Sequence, residues 1–304
     1  MSKIETALSK ARGQVVQLDP VSGTKAAGKE MVPVQQRSLS DRQARQAAAD
    51  LRRMDEPWLS EPRALAEQRI IHLGMADTQA AMAFSGMRTK ILQVAQENCN
   101  IVVTSAAKGR DSALVATNLA VSFSLDDNKT AILLDCDLVA RSIDQVIPST
   151  SDYGIADYLR NGGVQLEQII CPTGLRRLRV IPAGKSHDHV AEYFTLAKMR
   201  ELLNELRARY VDRYVVLNAP PIVESADARV LVELADYVVL VVPYGSVTEP
   251  QITDAVKLIG DKKLLGAVFS DMPCLPVGHR GVLGWLARLV GYGHEFGRES
   301  RKKR

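Results

Sequence analysis

The chain lacks the features that mark exported or membrane-spanning proteins. Its first residues, MSKIETALSKARG, contain no apolar signal-peptide core, and no window of the 304 residues reaches the roughly 18 apolar residues of a membrane span. The four cysteines lie far apart and show no metal-ligand spacing. They are Cys99, Cys136, Cys171 and Cys274. We therefore expect a cytoplasmic protein whose thiols are free and mostly buried.

A strong charge of either sign is also missing. The net charge of +4 at pH 7 is too small to indicate nucleic-acid binding, so we expect no nucleic-acid partner. The hydrophobic content of 46% and the charged content of 24% are ordinary for a soluble globular protein. The length allows one large domain or two ordinary ones, with a sizeable core.

The first 64 residues differ from the rest and predict a flexible helical N-terminal arm. Ser2–Arg12 has the apolar spacing of a short amphipathic helix. Residues 13–37 contain no aromatic side chain, which favours a linker. The stretch SLSDRQARQAAADLRRM predicts a second helix that begins near Ser40. Two alternatives stay open: the arm docks on another protein, or it is only weakly ordered.

Residues 65–274 alternate apolar, β-branched runs with helical patterns. Strands are predicted at Ile101–Val103, Ala131–Leu134, Leu178–Ile181, Tyr214–Leu217, Tyr237–Val242 and Leu265–Phe269. Helices are predicted at Ser112–Phe123, Ile155–Leu159, Leu196–Tyr210, Ala226–Leu234 and Glu249–Ile259. Strands that are apolar on both faces, joined by helical crossovers, predict an α/β fold. We expect a doubly wound, mainly parallel sheet with helices on both faces.

Polar segments follow three of the predicted strands, where ligands bind in such sheets. VVTSAAKGRDSALVATNLA includes the end of the first strand and the loop after it. AILLDCDL places Asp135 and Asp137 at the end of the second. RYVVLNAPP ends another apolar strand with Asn218 and two prolines.

The order and spacing of these segments resemble the bacterial tyrosine kinase family of capsular and exopolysaccharide systems, a branch of the MinD-like P-loop ATPases. That family has a glycine-lysine-Ser/Thr loop, then a strand ending D-x-D, then a strand ending D-x-P-P. The resemblance runs from about Phe84 to Pro273 and includes YGIADYL and ESADARVLVELADYVVLVVPYG. It implies a P-loop NTPase-like fold, ATP and magnesium as cofactors, and an integral-membrane polysaccharide copolymerase (chain-length protein) as partner.

The candidate site departs from the family pattern. The resemblance implies a lysine on the terminal phosphates and a hydroxyl on magnesium, but Ser112 and Ala113 stand at those positions. Asp111 replaces a glycine, and Asn218 replaces the aspartate of the D-x-P-P strand. The nucleotide-binding loop comprises Lys108, Gly109, Arg110, Asp111, Ser112 and Ala113. Asp135 and Asp137 are the retained acids and would hold magnesium if any binds.

These replacements should weaken nucleotide binding by several orders of magnitude. A lost charged hydrogen bond costs about 1.5–3 kcal/mol. A carboxylate about 4 Å from a phosphate adds up to about 4 kcal/mol of repulsion at an effective dielectric near 20, and about 1.4 kcal/mol is a factor of ten in affinity. We therefore expect no cofactor and a catalytically degenerate protein. It would be a cytoplasmic interaction subunit, with a peripheral position at the inner face of the membrane as an option.

Two further functions stay open. Lys108 and Arg110 could reach phosphate from new positions, which would make the chain an active ATP-dependent tyrosine autokinase. The second open function is that of a MinD-like membrane-associated positioning ATPase. Independently of both, the backbone amides near Ser112 could bind an anion without magnesium.

Two other family features are weak here. The family kinases phosphorylate a C-terminal tyrosine cluster, whereas Tyr292 is the only tyrosine after Tyr244. The family helix before the loop packs subunits into a ring through a glutamate and two arginines. The corresponding positions are Met82, Ser85 and Arg88, so a homo-oligomer stays an open expectation.

The C-terminal tail, residues 275–304, contains GVLGWLARLVGYGHEFGRESRKKR. A helix from Val282 would place Trp285 and several aliphatic residues on one face, followed by a basic end. This pattern is typical of contact with an anionic membrane. The alternative is that the apolar face packs on the sheet and only the basic end is solvated.

Overall fold

The computed structural model describes residues 56–95, 98–109, 111–149, 151–160, 163–185, 194, 197–208 and 213–270. The two helices predicted within the first 54 residues, the predicted C-terminal tail, Arg110 and Cys274 lie outside these ranges. Within them, no helix combines the length and the apolar composition that crossing a bilayer requires.

Seven strands form one sheet in the order β3-β4-β2-β5-β1-β6-β7. They are β1 Asn100–Ser105, β2 Thr130–Asp135, β3 Cys171–Pro172, β4 Leu178–Ile181, β5 Arg213–Asn218, β6 Tyr237–Pro243 and β7 Leu264–Ser270. All neighbours are parallel except β3 and β4. The predicted fold class is confirmed, and each predicted strand lies within an observed one. The two-residue β3 is too short to leave a pattern in the sequence.

Eight α-helices are described. They are α1 Pro62–Glu67, α2 Gln79–Val94, α3 Asp111–Ser124, α4 Ile155–Leu159, α5 Leu166–Ile169, α6 Ala197–Ala208, α7 Ala226–Leu234 and α8 Glu249–Ile259. Side chains cap the starts of α7 and α8: the Ser225 hydroxyl accepts a hydrogen bond from Ala228 N, and Gln251 Oε1 accepts one from Thr248 N. All five predicted helices are present.

The pleat of the central strands divides the core between the two faces of the sheet. Ile132 and Leu134 pack in the cluster beneath α6, α7 and α8, whereas Ala131 and Leu133 pack in the cluster beneath α2 and α3. Every residue of β1, β2 and β5 is buried. Burial of a Leu or Ile side chain contributes about 1.5–3 kcal/mol. The core therefore stabilises the sheet without help from a ligand.

The thiols follow the prediction where the structure describes them. Cys99, Cys136 and Cys171 are buried, and none of them forms a disulfide with another described residue. Burial and the charge of Asp236 raise the pKa of Cys99 to about 12. Burial raises the pKa of Cys136 well above its usual value. Both groups therefore stay neutral thiols at physiological pH.

Helix α2 is fastened to α3 by Arg88. The Arg88 guanidinium donates to the Ser122 carbonyl oxygen at 2.6 Å and to Ser85 Oγ at 3.5 Å. On the far side of α3, Phe123 stacks on Tyr214 of β5, with ring centroids 4.1 Å apart. The arginine retained from the family ring contact is thus engaged within its own chain. These contacts hold the C-terminal end of α3 between α2 and the sheet.

Two glycines allow α4 to pass close to the segment after β4. Asp157 Oδ2 accepts hydrogen bonds from Gly154 N at 2.9 Å and from Lys185 N at 3.1 Å. A Cβ on Gly184 would lie 2.3 Å from Asp157 Oδ2 and 2.8 Å from Gly154 N. Gly184 also has φ +87°, a conformation that favours glycine.

We expect Gly184→Ala to lower the free energy of unfolding more than Gly245→Ala. Both glycines have left-handed φ angles, +87° and +74°, so each substitution costs about 1–2 kcal/mol for the backbone. Only the Cβ at position 184 meets other atoms, because nothing lies within 4 Å of the Cβ position at 245. The crowding should add about 1–3 kcal/mol. Urea denaturation of the two variants measures the difference, and equal losses would contradict this packing.

Candidate functional site

The loop between β1 and α3 lies at the carboxyl end of the sheet, as the sequence predicts. Thr104 Oγ1 donates to the Pro220 carbonyl oxygen at 2.7 Å, and Ile222 N donates to the Ser105 carbonyl oxygen at 3.0 Å. Gly109 has φ +155° just before α3 begins. These bonds tie the loop to the segment that follows β5. The structure therefore brings the candidate loop beside Asn218, the last residue of β5.

Ser112 and Ala113 begin the buried face of α3. Ala113 has no exposed surface and belongs to the core cluster beneath α2 and α3, and Ser112 is 2% exposed. The position that the resemblance assigns to a magnesium-binding hydroxyl therefore carries a methyl group packed in the core. Neither side chain supplies a positive charge. Positions 112 and 113, in the first turn of α3, therefore provide no cation for a phosphate.

Asp111 supplies the negative charge at the start of α3. It is the acidic residue of the first turn, and its Oδ2 lies 3.5 Å from the Cβ position of Gly109. A carboxylate near a helix N-terminus stabilises the helix through the dipole. The same end of a helix is where a phosphate would bind. Asp111 thus places a carboxylate at the helix end where a phosphate would bind.

Lys108 pairs with Glu224 across the two loops. Its Nζ lies 2.9 Å from Glu224 Oε2, and the two side chains are 82% and 45% exposed. An exposed pair of this kind contributes about 0–1 kcal/mol. Lys108 therefore bridges the β1–α3 loop to the β5–α7 loop on the protein surface. The other basic residue of the loop, Arg110, lies outside the described residues.

Asp135 is fully buried, and both of its oxygens accept hydrogen bonds. Oδ1 accepts from Asn218 Nδ2 at 2.9 Å and from Asp137 N at 3.2 Å. Oδ2 accepts from Ile143 N at 3.0 Å. Burial raises the pKa of Asp135 to about 7, and the hydrogen bonds from Asn218 and Ile143 oppose that rise. The carboxyl group is thus satisfied by donors of its own chain.

Asn218 completes what we call the acid–amide cluster, formed by Asp135, Asn218, Ser142 and Ile143. Asp135 and Asn218 are directly paired in the register of β2 and β5. Asn218 Nδ2 also lies 3.1 Å from Ser142 Oγ. Reversing the amide would put its oxygen against Asp135 Oδ1, which is unfavourable when Asp135 is ionised, so the amide is assigned with Nδ2 towards the carboxylate. Asn218 Oδ1 is buried without a hydrogen-bond partner.

Asp137 turns the loop after β2 and lies near an acid that the sequence reasoning missed. Its Oδ1 accepts from Ala140 N at 3.0 Å. Burial, followed by the negative charge of Asp137, raises the pKa of Asp227 in the first turn of α7. The motif ESADARV contains Asp227 just after the α7 cap, which was the available signal. The structure brings Asp135, Asp137 and Asn218 together and adds Asp227 nearby.

The described residues do not fit magnesium in the manner that the resemblance implies. Magnesium requires near-octahedral oxygen ligands and usually one or two carboxylates. No group of three or more His, Cys, Asp or Glu side chains in the described part of the chain is placed to hold a metal ion. Both Asp135 oxygens are already occupied by N–H donors. Two oxygens of the site, Asn218 Oδ1 and Asp227 Oδ1, are buried without a hydrogen-bond partner, and they belong to an amide and to one further carboxylate.

Known proteins provide an independent comparison. No family model matches the chain. The chain is 30% identical over 173 residues to the tyrosine-protein kinase YwqD of Bacillus subtilis. The aligned residues make up 56% of this chain and 71% of that protein. The chain is 26% identical over 192 residues to the tyrosine-protein kinase CpsD of Streptococcus agalactiae, covering 62% of this chain and 82% of that one.

Solved structures show the same fold. The chimerical protein CapA2B2 superposes with a TM-score of 0.61 at 22% identity, covering 76% of this chain and 99% of that one. The kinase domain of the Escherichia coli tyrosine kinase ETK gives a TM-score of 0.58 at 19% identity, covering 73% of this chain and 100% of that domain. Together with the identity to YwqD, the predicted resemblance is confirmed: the chain belongs to the bacterial tyrosine kinase family.

Proposed function

We propose that this chain is a catalytically degenerate tyrosine-kinase-like protein. It would act as a cytoplasmic interaction or regulatory subunit in capsule or exopolysaccharide biosynthesis and export. One observation carries the proposal: both oxygens of the buried Asp135 accept hydrogen bonds from the chain itself, one of them from Asn218. The strand ends that would hold a metal are joined by an amide instead.

The chemistry of position 218 supports this proposal. An aspartate there would place two buried carboxylates in contact, and such a pair needs a proton or a cation between them. The amide of Asn218 donates to Asp135 and carries no charge, so this pair has no repulsion between like charges. The acid–amide cluster therefore substitutes hydrogen bonds for the metal that the resemblance implies.

The loop supports the same conclusion from the phosphate side. Asp111 adds a negative charge at the N-terminus of α3, and Ser112 lacks the cation that would offset a phosphate. Phosphoryl transfer depends on positioned cations and on charge stabilisation. A chain that binds Mg-ATP poorly and lacks these groups would retain the scaffold of its relatives without their chemistry.

The pathway and the partner rest on the resemblance. The aligned residues make up 82% of CpsD and 71% of YwqD, both of which are named tyrosine-protein kinases. An integral-membrane polysaccharide copolymerase is the partner that the family implies, and its contact would hold this chain at the inner face of the membrane. The runner-up is an active autokinase that uses Lys108. In that case Lys108 would have to leave Glu224 to reach a phosphate.

We expect purified protein to show no measurable binding of Mg-ATP by isothermal titration calorimetry. The quadruple variant Asp111→Gly, Ser112→Lys, Ala113→Ser, Asn218→Asp should gain binding, because it restores the cationic loop and the second acid. The same variant with Asn218 unchanged serves as the matched control and should bind more weakly.

A micromolar dissociation constant in the unaltered protein would overturn the proposal. If Lys108→Ala then abolished that binding, the relocated-lysine autokinase would be the correct function. If Lys108→Ala left it unchanged, nucleotide would bind through groups other than that lysine.

We expect Asp135 to make stability fall as pH rises from about 4 to about 7. Its pKa is about 7 in the folded protein and near 3.8 when exposed, so the folded state binds more protons in this window. One such group contributes a slope of at most about 1.4 kcal/mol per pH unit. Urea denaturation of wild type and Asp135→Asn at several pH values isolates the contribution of Asp135. The wild-type free energy of unfolding minus that of the variant should fall as the pH rises towards 7.

The control is Asp254→Asn, which removes an exposed carboxylate on α8. Some slope should persist in Asp135→Asn, because the pKa of Asp227 is also raised by burial. A wild-type minus Asp135→Asn difference that stays constant with pH would show that Asp135 is ionised throughout, and so not buried as described.

A further inference from the structure

Strand β7 forms a margin of the sheet that is poorly covered. Among the described residues, β6 is the only strand that pairs with it. Its sequence, LLGAVFS, contains no charged residue and no proline, and all seven residues are half-buried. By contrast, every residue of the central strands β1, β2 and β5 is buried. Natural proteins protect such edges with charge, proline, short strands or a covering segment.

Both faces of β7 carry apolar side chains. Leu264, Ala267 and Phe269 pack at the border of the core cluster beneath α6, α7 and α8. Leu265 and Val268 pack at the border of the cluster beneath α2 and α3. A strand that is apolar on both faces requires cover on both. The described residues supply it only in part.

The opposite margin shows how this chain protects an edge. There β3 has only two residues, and residues 56–60 lie against the turn that follows it. Ser60 N donates to the Gly174 carbonyl oxygen at 2.9 Å, and Glu56 forms a half-buried ion pair with Arg179 of β4. A segment of the chain from outside the sheet thus covers that edge.

The chain itself brings a candidate cover to β7. The carbonyl oxygen of Ser270, the last residue of β7, accepts a hydrogen bond from Tyr244 N at 3.0 Å. Residues 271–304 of the sequence follow directly. Residues 281–290 read GVLGWLARLV, with Arg288 as the one charged side chain. The intervening residues 271–280 can span roughly 35 Å. That reach exceeds the roughly 23 Å length of a seven-residue strand.

We propose that residues 281–290 of the same chain dock on the β7 margin and bury Trp285 there. The segment matches the uncovered strand in chemistry, since both are apolar and nearly uncharged. This selects one of the two alternatives that the sequence leaves for the tail: its apolar residues complete the core, and the basic end from Arg298 stays in solvent. The inference is independent of nucleotide binding. A membrane or a partner that captures the segment would have to compete with β7.

The test uses tryptophan fluorescence of the full-length chain. The protein has two tryptophans, so Trp58→Phe leaves Trp285 as the reporter. We expect blue-shifted emission and an acrylamide quenching constant several-fold below that of a free tryptophan derivative, without any membrane. In this background Val268→Ser on β7 should raise the quenching constant. Val139→Ser, the same change at an 83% exposed residue after β2, should leave it unchanged.

Hydrogen exchange supplies a second measurement in case Val268→Ser fails to fold. Leu286→Asp in the full-length chain should speed amide exchange in the peptide covering Leu264–Ser270. Free quenching of Trp285, or exchange of that peptide unaffected by Leu286→Asp, would overturn the proposal. So would shielding that depends on protein concentration, which would identify a second copy as the cover. Shielding that develops only with anionic vesicles would show that the segment binds membranes instead.

Discussion

The hydrogen bond from Asn218 to Asp135 is the contact on which the candidate site depends. It spans 2.9 Å between the ends of neighbouring strands, and both residues are fully buried. A buried carboxylate without partners is costly, and the cost falls when N–H donors surround it. Asp135 receives three such donors, from Asn218, Asp137 and Ile143. The loop after β2 is fixed by the same bonds, because Asp137 N and Ile143 N both belong to it.

The remainder of the site is consistent with this arrangement. The N-terminus of α3 has its own carboxylate in Asp111, and the methyl group of Ala113 packs in the core. The sheet is held by apolar burial on both faces, which does not involve the site. A family scaffold can therefore persist while its phosphate and metal contacts are replaced one by one. In the proposed function, that separation of stability from chemistry would let a kinase-like fold serve as an interaction subunit.

Much of the fold was predictable because it follows from local pattern. Apolar runs on both faces located six of the seven strands, and helical spacing located the crossovers. The two-residue β3 and the short helices α1 and α5 were not predicted, because elements of that length leave no periodicity. The 16-residue α2 was recognised only through the family resemblance. The sequence also identified Asp135, Asp137 and Asn218 as strand-end residues. It could not show that Asp135 has both oxygens occupied, since that depends on the β2–β5 register and the return of the loop at Ile143.

The most direct test of this account is the effect of magnesium on the thermal stability of Asn218→Asp. The change is isosteric, removes the donor to Asp135 and places a second carboxylate beside it. We expect the variant to have a lower Tm than wild type at neutral pH and to recover part of it when magnesium is added. Wild type and the exposed isosteric control Asn128→Asp should not respond. A wild-type Tm that rises with magnesium as much as that of Asn218→Asp would contradict the claim that the amide has replaced the metal.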